Sequence, residues 1–329
     1  MDESISRPHV PVLREAVMEF LGCHDGGVYV DGTVGGGGYA EAILQASAPS
    51  GVLVALDCDA EAIARVQSRL LSYQNRLFLA KANFADLPHF LEKLGLGPVD
   101  GMVVDLGVSS FQISDASRGF SFVFEGPLDM RMDQDLPQTA AGLVNTLSER
   151  DLASLIRRLG EERWASRIAR TIVSRRQVKP FVTTLELAKE IERVVPKTKD
   201  SFRIHPATRT FQALRMTVNR ELDSLEYFLT QVLALMKPGG RLCTVAFHSL
   251  EDRIIKKQFK EWSKSCICPS TFPQCQCVGR PLVKLLTRKA VRPDPGEIEK
   301  NPSSRSARLR AVEKWEKNHN PIGEDAGII

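Results

Sequence analysis

Four consecutive glycines, Gly35 to Gly38, are the strongest chemical signal in the sequence. They follow a short β-branched and aromatic run that ends at Asp31, and a helix-like segment, 40–46, begins soon after them. A strand that passes through a glycine loop into a helix brings backbone N–H groups close to a ligand. Only glycine allows the positive φ angles and the close approach that such a loop needs. We therefore expect a nucleotide-type cofactor site here, although the pattern G-x-G-x-x-A alone also fits a dinucleotide.

Two further side chains follow the next strands of the predicted sheet. Asp57 lies 22 residues beyond Gly35 and ends the second strand, where its carboxylate can accept hydrogen bonds from ribose hydroxyls. It could instead cap the helix that follows, a role that Asp59 could also fill. Phe84 follows the third strand, where a ring can pack on a purine face or simply join the core.

Asp105 begins the segment 105–110, which ends the fourth strand at the edge where open α/β sheets bind ligands. Methyltransferases that act on amino groups place a polar side chain and backbone carbonyls there. The lone pair of an exocyclic base amine is delocalised into the ring, so acceptors that pull the nitrogen toward tetrahedral geometry free it for attack. Hydride transfer does not need such a loop, so the segment favours methyl transfer over a nicotinamide enzyme.

Arginines interleaved with aromatics form a second polar segment, in which Arg203, Arg209 and Arg215 accompany Phe202 and Phe211. This mixture suits phosphate contact with base stacking, or it is the solvated start of a helix.

His248 follows a later strand, and its imidazole either contacts the substrate or bridges backbone groups.

Four cysteines form a C-x-C, six-residue, C-x-C array: Cys266, Cys268, Cys275 and Cys277. Four thiolates at this spacing could hold Zn²⁺. Local disulfides and free thiols remain alternatives, because C-x-C is not the usual zinc knuckle. We assign no metal ligand on this basis.

The elements that must position these residues alternate between strand and helix, which predicts a parallel, doubly wound α/β sheet. Predicted strands occupy 28–31, 52–57, 77–82, 100–106 and 241–247, with helical patterns at 40–45, 60–71, 88–94 and 139–195 and one long helix over 211–232. A loop over 109–136 precedes the helical stretch, and irregular structure is expected beyond 266. Ser148 and Thr183 stand at predicted helix starts.

Charge is unevenly distributed along the 329 residues. The net charge is +4, but residues 253–317 carry 16 Lys/Arg and 6 Asp/Glu, so the remainder is acidic. A basic C-terminal arm predicts a polyanionic partner, although it could also be a solvated tail. The chain has no apolar run of about 18 residues and no N-terminal signal core, and its lone cysteines suit a reducing compartment. We expect a cytoplasmic protein with no membrane partner.

Eight ordered blocks between about residues 9 and 310 resemble the RsmH/MraW family of bacterial small-subunit ribosomal RNA cytosine-N4 methyltransferases. The blocks are HVPVL (9–13), DGTVGGGG (31–38), DLGVSS (105–110), RGFSF (118–122), GPLDMRMD (126–133), GEER (160–163), HPATRTFQ (205–212) and FHSLEDR (247–253). Eight blocks in order are far more specific than the glycine loop alone.

The resemblance implies an S-adenosylmethionine-dependent, Rossmann-like methyltransferase core interrupted by a helical domain. The core would comprise 1–109 and 206–329, with the basic arm from about 253, and the helical insertion 110–205 would recognise the substrate. The family's cofactor contacts fall on Gly37, Gly38, Tyr39, Asp57, Phe84, Asp105 and Gln112. Asp105 is also the predicted catalytic residue, because it could hold the cofactor's amino group or orient the target N–H.

Two positions depart from the family pattern. The family usually has His where this chain has Tyr39, and Pro where it has Phe111. A cofactor contact through the backbone of Tyr39 would survive this change, whereas one through imidazole would not. Phe111 could alter the loop that carries Gln112.

The sequence therefore predicts methyl transfer from S-adenosylmethionine to the N4 amine of a cytidine in the decoding region of 16S ribosomal RNA. The partner would be RNA within the small ribosomal subunit, and a homodimer is one oligomeric state left open. The alternative is a non-catalytic, RNA-binding ribosome-assembly factor, and a nicotinamide-dependent oxidoreductase is a weaker rival.

Overall fold

Seven strands form a single sheet in the computed structural model of the chain, which describes residues 11–196, 204–265 and 281–315. The strand order is β3-β2-β1-β4-β5-β7-β6. The strands are β1 (Val28–Asp31), β2 (Val52–Asp57), β3 (Leu77–Lys81), β4 (Val99–Asp105), β5 (Met236–Ala246), β6 (Val283–Leu285) and β7 (Arg308–Lys314).

The α-helices of the described residues alternate with the first strands and then dominate the middle of the chain. They are α1 (Arg14–Leu21), α2 (Gly38–Ala46), α3 (Ala60–Arg69), α4 (Leu87–Lys93), α5 (Ser110–Ser114), α6 (Ala140–Thr146), α7 (Glu149–Gly160), α8 (Ala165–Arg176), α9 (Thr184–Val194), α10 (Thr208–Val218), α11 (Glu221–Gln231), α12 (Ser249–Trp262) and α13 (Pro295–Lys300). None of these helices combines the length and the apolar character needed to cross a bilayer.

The first five strands run parallel, and β7 pairs antiparallel with both β5 and β6. Parallel strands are buried on both faces, which explains why β2 and β4 read as nearly continuous apolar runs. The order reverses between β1 and β4, the crevice where doubly wound sheets bind nucleotides. The expected Rossmann-like α/β core is confirmed.

Apolar clusters cover both faces of the sheet. On one face, Val17 of α1, Ile43 of α2 and Val66 of α3 are fully buried. On the other, Leu91 of α4 and Phe259 of α12 pack against the sheet. The carboxyl ends of the parallel strands are thereby fixed between two packed layers, which holds the loops that follow them.

The chain divides into two compact units, one formed by Met1–Gly107 and Leu225–Ile329 and the other by Val108–Ser224. In the second unit α10 packs on α7, so this unit extends beyond position 205, where the sequence interpretation ended it. The apolar side chains that recur along α7 at helical spacing, Leu152, Leu155, Ile156 and Leu159, are buried.

Both predicted helix starts in the second unit are confirmed. The Ser148 hydroxyl accepts the Asp151 N–H at 3.1 Å. Thr183 and Glu186 form a reciprocal capping box.

The single long helix predicted over 211–232 is wrong. Arg220 takes a left-handed φ of 51° between α10 and α11. The Asn219 side chain donates to the Met130 carbonyl at 2.7 Å and accepts the Met132 N–H at 2.7 Å. These bonds to a segment almost 90 residues away stabilise the break, and no local periodicity reveals them.

Three other expectations about elements need correction. β5 begins at Met236 rather than at 241. Its pairing with β4 shifts register between Val99 and Gly101, at the part of β5 that contains Pro238. The predicted loop over 109–136 contains the short helix α5. Residues 281–315, expected to be irregular, form β6, α13 and β7, because strand pairing with β5 supplies order that composition does not show.

Candidate cofactor site at the carboxyl edge of the sheet

The glycine loop between β1 and α2 is bonded to both neighbouring strands. The Gly32 N–H donates to the Val103 carbonyl of β4 at 2.9 Å, and the Val34 N–H donates to the Leu56 carbonyl of β2 at 2.8 Å. The Asp105 N–H donates to the Thr33 hydroxyl at 2.7 Å. The loop is therefore held in one conformation at the reversal point of the sheet.

Glycine is required in this loop for two physical reasons. Gly35 and Gly37 have left-handed φ angles of 49° and 81°, a region that other residues enter only with strain. A Cβ on Gly38 would collide with the ring of Pro11. Close packing on Pro11 is thus a structural demand on Gly38, beside the cofactor contact that the sequence predicts for Gly37 and Gly38.

Asp57 lies at the end of β2 with its carboxylate turned toward the glycine loop. Its Oδ2 accepts the Gly35 N–H at 2.8 Å, and its Oδ1 accepts the Asp59 N–H at 2.9 Å. Asp59, not Asp57, caps α3 by accepting the Glu61 N–H at 3.0 Å. Burial raises the pKa of Asp57 to about 6, although both N–H bonds oppose the rise.

Asp31 at the end of β1 is fully buried, and the sequence interpretation did not include it among the site residues. Its Oδ1 accepts the Thr33 N–H at 3.2 Å, and the carboxylate also receives the N–H of Ala40 in the first turn of α2. Its Oδ2 is buried with no hydrogen-bond partner among the described residues. Burial, reinforced by the nearby charge of Asp57, raises the pKa of Asp31 to about 7. In the sequence, only the position of Asp31 shortly before the glycine loop indicates that it belongs to the site.

Asp105 at the end of β4 brings a third carboxylate to this edge. Its Oδ1 is buried and has no hydrogen-bond partner in the described part of the chain. Burial, followed by the charges of Asp31 and Glu251, raises the pKa of Asp105 well above its ordinary value.

Together these carboxylates form a buried acidic cluster beside a fixed loop. The charge of Asp57 raises the pKa of Asp31, and the charge of Asp31 raises the pKa of Asp105, so the three carboxylates resist being ionised together. A cation placed among them would relieve both the repulsion and the lack of partners for two oxygen atoms. The arrangement therefore suits a ligand that carries positive charge.

Tyr39, in the first turn of α2, has a buried ring whose hydroxyl donates to the Val12 carbonyl. Burial raises the pKa of this phenol well above 10, so it stays protonated. Because the side chain is engaged in the core, a cofactor contact by Tyr39 would use its backbone N–H. The N–H groups of a first helical turn have no partner within the helix and are suited to that role.

Phe84 is 9% exposed and packs edge-on against Phe228, with ring centroids 5.4 Å apart. Its Cβ and Val104 also fill the space beside Gly32. Core packing is thus established for this ring, and packing on an adenine stays a prediction for its remaining exposed part.

Gln112 belongs to the second unit, where it is buried in α5. Its side-chain oxygen accepts the Ser109 N–H at 3.0 Å, and its own N–H donates to the Ser109 hydroxyl at 3.2 Å. This capping box gives Gln112 a local structural role, and its predicted cofactor contact stays a prediction.

His248 caps α12, because its Nδ1 accepts the Glu251 N–H at 3.4 Å while Glu251 accepts the His248 N–H. Its Nε2 lies 2.9 Å from Oε1 of Glu251, at an angle that makes no hydrogen bond. Of the two roles left open by the sequence, the bridging of backbone groups is the one observed.

Two of the predicted phosphate-binding arginines lie in the described part of the chain. Arg215 makes two 2.9 Å hydrogen bonds to Glu221, which balances its charge within the second unit. Arg209 is half exposed, with Glu162 at 3.9 Å. Arg203, Phe202 and the cysteines at 266, 268, 275 and 277 lie outside the described residues.

A doubly wound sheet with a glycine loop and strand-end carboxylates defines a nucleotide-cofactor enzyme of the α/β class. The family model of the MraW methylase family matches residues 6–315, so the chain belongs to that family. This membership makes the protein a methyltransferase with S-adenosylmethionine as its methyl donor.

Curated relatives agree with this assignment over nearly their whole length. A protein named ribosomal RNA small subunit methyltransferase H from Syntrophobacter fumaroxidans is 64% identical over 314 residues, which cover 95% of this chain and 98% of that protein. Proteins of the same name from Geotalea uraniireducens and Thermomicrobium roseum are 51% and 48% identical, covering 93% and 95% of this chain and 98% and 96% of theirs.

Proposed function

We propose that this protein transfers a methyl group from S-adenosylmethionine to the N4 amine of a cytidine in the 16S RNA of the small ribosomal subunit. The buried acidic cluster at the glycine loop is the observation that carries the cofactor part of the proposal. The names of the relatives, together with the eight family motifs, support the RNA part.

The charge of the site fits this donor. S-adenosylmethionine supplies an electrophilic methyl group on a sulfonium, and it also carries an ammonium group. Two cationic centres suit the unpartnered oxygens of Asp31 and Asp105. A dinucleotide would instead bring the two negative charges of its pyrophosphate, against the single carboxylate of S-adenosylmethionine, to an edge that already holds three carboxylates.

The described residues divide the work of binding. Asp57 accepts hydrogen bonds from the ribose hydroxyls of the cofactor, because its carboxylate keeps acceptor capacity beyond its bonds to Gly35 and Asp59. The first turn of α2 offers backbone N–H groups to the carboxylate of the methionine part. Thr33 fixes the backbone of Asp105 through its hydroxyl, so that this side chain keeps its position.

Asp105 acts on the reaction through its free Oδ1. That oxygen accepts either an N–H of the cofactor's ammonium or an N–H of the target amine. In the second role it draws the amine nitrogen toward tetrahedral geometry and directs its lone pair at the methyl group. The target base must leave its stack to reach this edge, which a structured RNA loop allows at low cost.

The second unit and the basic arm serve RNA recognition in this proposal. The excess of Lys and Arg over 253–317 supplies charge for phosphate contacts, whose strength falls with salt. We place the activity in the cytoplasm, where ribosomal subunits are assembled.

Methylation of small ribosomal subunits that lack the mark tests the proposal. With methyl-labelled S-adenosylmethionine, we expect label on N4 of one cytidine. Asp105→Asn should lower the rate by at least 100-fold while leaving a folded protein. Label on another atom, or none with wild-type protein, would refute the reaction. Full binding to the subunit without label transfer would instead favour a non-catalytic assembly factor.

A further inference from the structure

An open cavity of about 340 Å³ in the first unit is lined by six basic side chains and one carboxylate. Lys256 comes from α12, and Arg308 and Arg310 come from β7. The other three basic side chains come from the segment that connects β6 to α13. Neither the cofactor site nor the proposed roles of the core residues use this cavity.

The carboxylate of Asp252 fixes the two arginines of β7. Arg308 donates to its Oδ2 at 3.0 Å, and Arg310 donates to Oδ1 at 2.7 Å and to Oδ2 at 3.3 Å. One carboxylate orients both guanidinium groups but neutralises only one of them. Successive side chains of β7 point to opposite faces of the sheet. Leu309 and Ala311 point into the core on one face, so Arg308 and Arg310 point to the other.

The segment that carries Arg288 and Lys289 is anchored on both sides. On one side, the Thr287 N–H donates to the Ala311 carbonyl at 3.2 Å, and the Thr287 hydroxyl accepts the Ala311 N–H at 3.0 Å. On the other, Val291 and Leu309 exchange two backbone hydrogen bonds of 2.9 Å. Although the basic side chains are exposed, their backbone is therefore part of the sheet.

Four basic groups in the cavity have no carboxylate partner of their own. Lys256, Arg288, Lys289 and Arg292 are exposed and make no hydrogen bond or ion pair with another residue in the three described ranges. Unpaired cations gathered around a concave surface attract a multiply charged anion. Guanidinium groups suit phosphate in particular, because their paired N–H groups match two of its oxygens.

The register of the sheet places this cavity near the reacting edge. Asp105 pairs with Val245 of β5, and Val245 pairs with Leu309 of β7. Leu309 stands between the two cavity arginines, so the backbone at these arginines lies two strand spacings, roughly 10 Å, from that of Asp105. Asp105 shares the sheet face of Val245 and Leu309, whereas the two arginines point to the other face, so an RNA strand would reach both by crossing the carboxyl edge of the sheet. A polyanion whose reacting base reaches Asp105 would pass close to the cavity.

We propose that this basic cavity binds backbone phosphates of the substrate RNA next to the target nucleotide. The inference rests on the proposed function, since it takes RNA as the polyanion. The cavity fixes the strand without reading its sequence, because phosphate contacts position a nucleic acid and carry no base information.

A charge-matched pair of triple variants tests the inference. The cavity variant is Arg288→Gln, Lys289→Gln and Arg292→Gln. The control is Arg14→Gln, Lys93→Gln and Lys237→Gln, which removes three cations of the first unit that lie outside both the cavity and residues 253–317. Both variants should keep the wild-type thermal midpoint and the wild-type affinity for S-adenosylmethionine.

The readout is steady-state methylation of unmodified small subunits at several salt concentrations. At low salt, we expect the cavity variant to raise the KM for subunits by about tenfold or more with little change in kcat. The slope of log affinity against log salt should fall by about 2, at roughly 0.7 for each lost phosphate contact. The control should stay within about twofold of wild type.

Two results would overturn the inference, and they are distinguishable. If wild-type protein methylates the subunit but the two triple variants behave alike, the cavity is not a phosphate site and the proposed function stands. If wild-type protein transfers no methyl group to RNA, the proposed function fails and the cavity loses its substrate.

Discussion

Asp57→Asn tests the assignment of the ribose-binding group with a small change in shape. The Asp57 carboxylate offers about four acceptor positions on its two oxygens. The N–H groups of Gly35 and Asp59 use two of them, at 2.8 and 2.9 Å. The two that remain equal the number of hydroxyl groups on the ribose of S-adenosylmethionine, whose 5′ carbon is bonded to sulfur.

Asparagine cannot reproduce this pattern. Its NH₂ group would replace one oxygen and would face the N–H of Gly35 or Asp59, so one backbone donor loses its acceptor and one hydroxyl contact is lost. A hydrogen bond to a charged group contributes about 1.5–3 kcal/mol. We expect a loss of about 3 kcal/mol in binding S-adenosylmethionine, which corresponds to more than 100-fold in Kd.

Isothermal titration at pH 8 measures this loss with Asp57 ionised, because its pKa is raised by burial only to about 6. Asp59→Asn is the matched control. It removes the same charge two residues away, and asparagine caps a helix as well as aspartate does. The control should bind within about threefold of wild type.

An Asp57→Asn protein that binds S-adenosylmethionine within about threefold of wild type at pH 8 would refute the assignment. Equal losses in both variants would point to a general charge effect at this edge. At pH 5.5 the difference between Asp57→Asn and wild type should shrink, since protonated aspartate has also lost its charge.

Three further predictions concern the cluster, the loop and the cavity. Because burial raises the pKa of Asp57 to about 6 and of Asp31 to about 7, the cofactor-free fold holds protons that the unfolded chain releases near pH 4. Its free energy of unfolding, measured in urea, should therefore fall from pH 5 to pH 7, by up to about 1.4 kcal/mol per pH unit for each group. A flat pH profile would contradict the burial of these charges. Gly37→Ala should lower the free energy of unfolding in urea by on the order of 2 kcal/mol, because φ is 81° and the new Cβ would lie 3.1 Å from a Val66 methyl group. Gly97→Ala is the control, since its Cβ would meet nothing within 4 Å, and an equal loss in both variants would contradict the prediction. Asp252→Ala should lower the free energy of unfolding by about 3 kcal/mol, because two partly buried guanidinium groups lose their carboxylate, and a loss below 1 kcal/mol would show that water replaces it.

Local sequence was sufficient for the parts of the fold that depend on local chemistry. The strands of the parallel sheet are continuous apolar runs, and Ser148 and Thr183 cap helices as their spacing predicts. Asp57 was identified because its distance from the glycine loop reflects the length of one strand–helix–strand unit.

The features that were missed depend on distant residues. Asp31 looks like an ordinary strand end until its burial next to two other carboxylates is known. The break at Asn219 rests on backbone groups of Met130 and Met132, and the order of 308–314 rests on pairing with β5. Burial and long-range pairing are properties of the folded chain, so composition and periodicity do not carry them.

A crystal structure with bound S-adenosylmethionine tests the central claim most directly. The account predicts the ribose hydroxyls within about 3 Å of the Asp57 carboxylate oxygens, and a cationic group of the cofactor next to Asp31 or Asp105. A cofactor bound away from the loop at 32–37, or one whose ribose and charged groups avoid all three carboxylates, would contradict it.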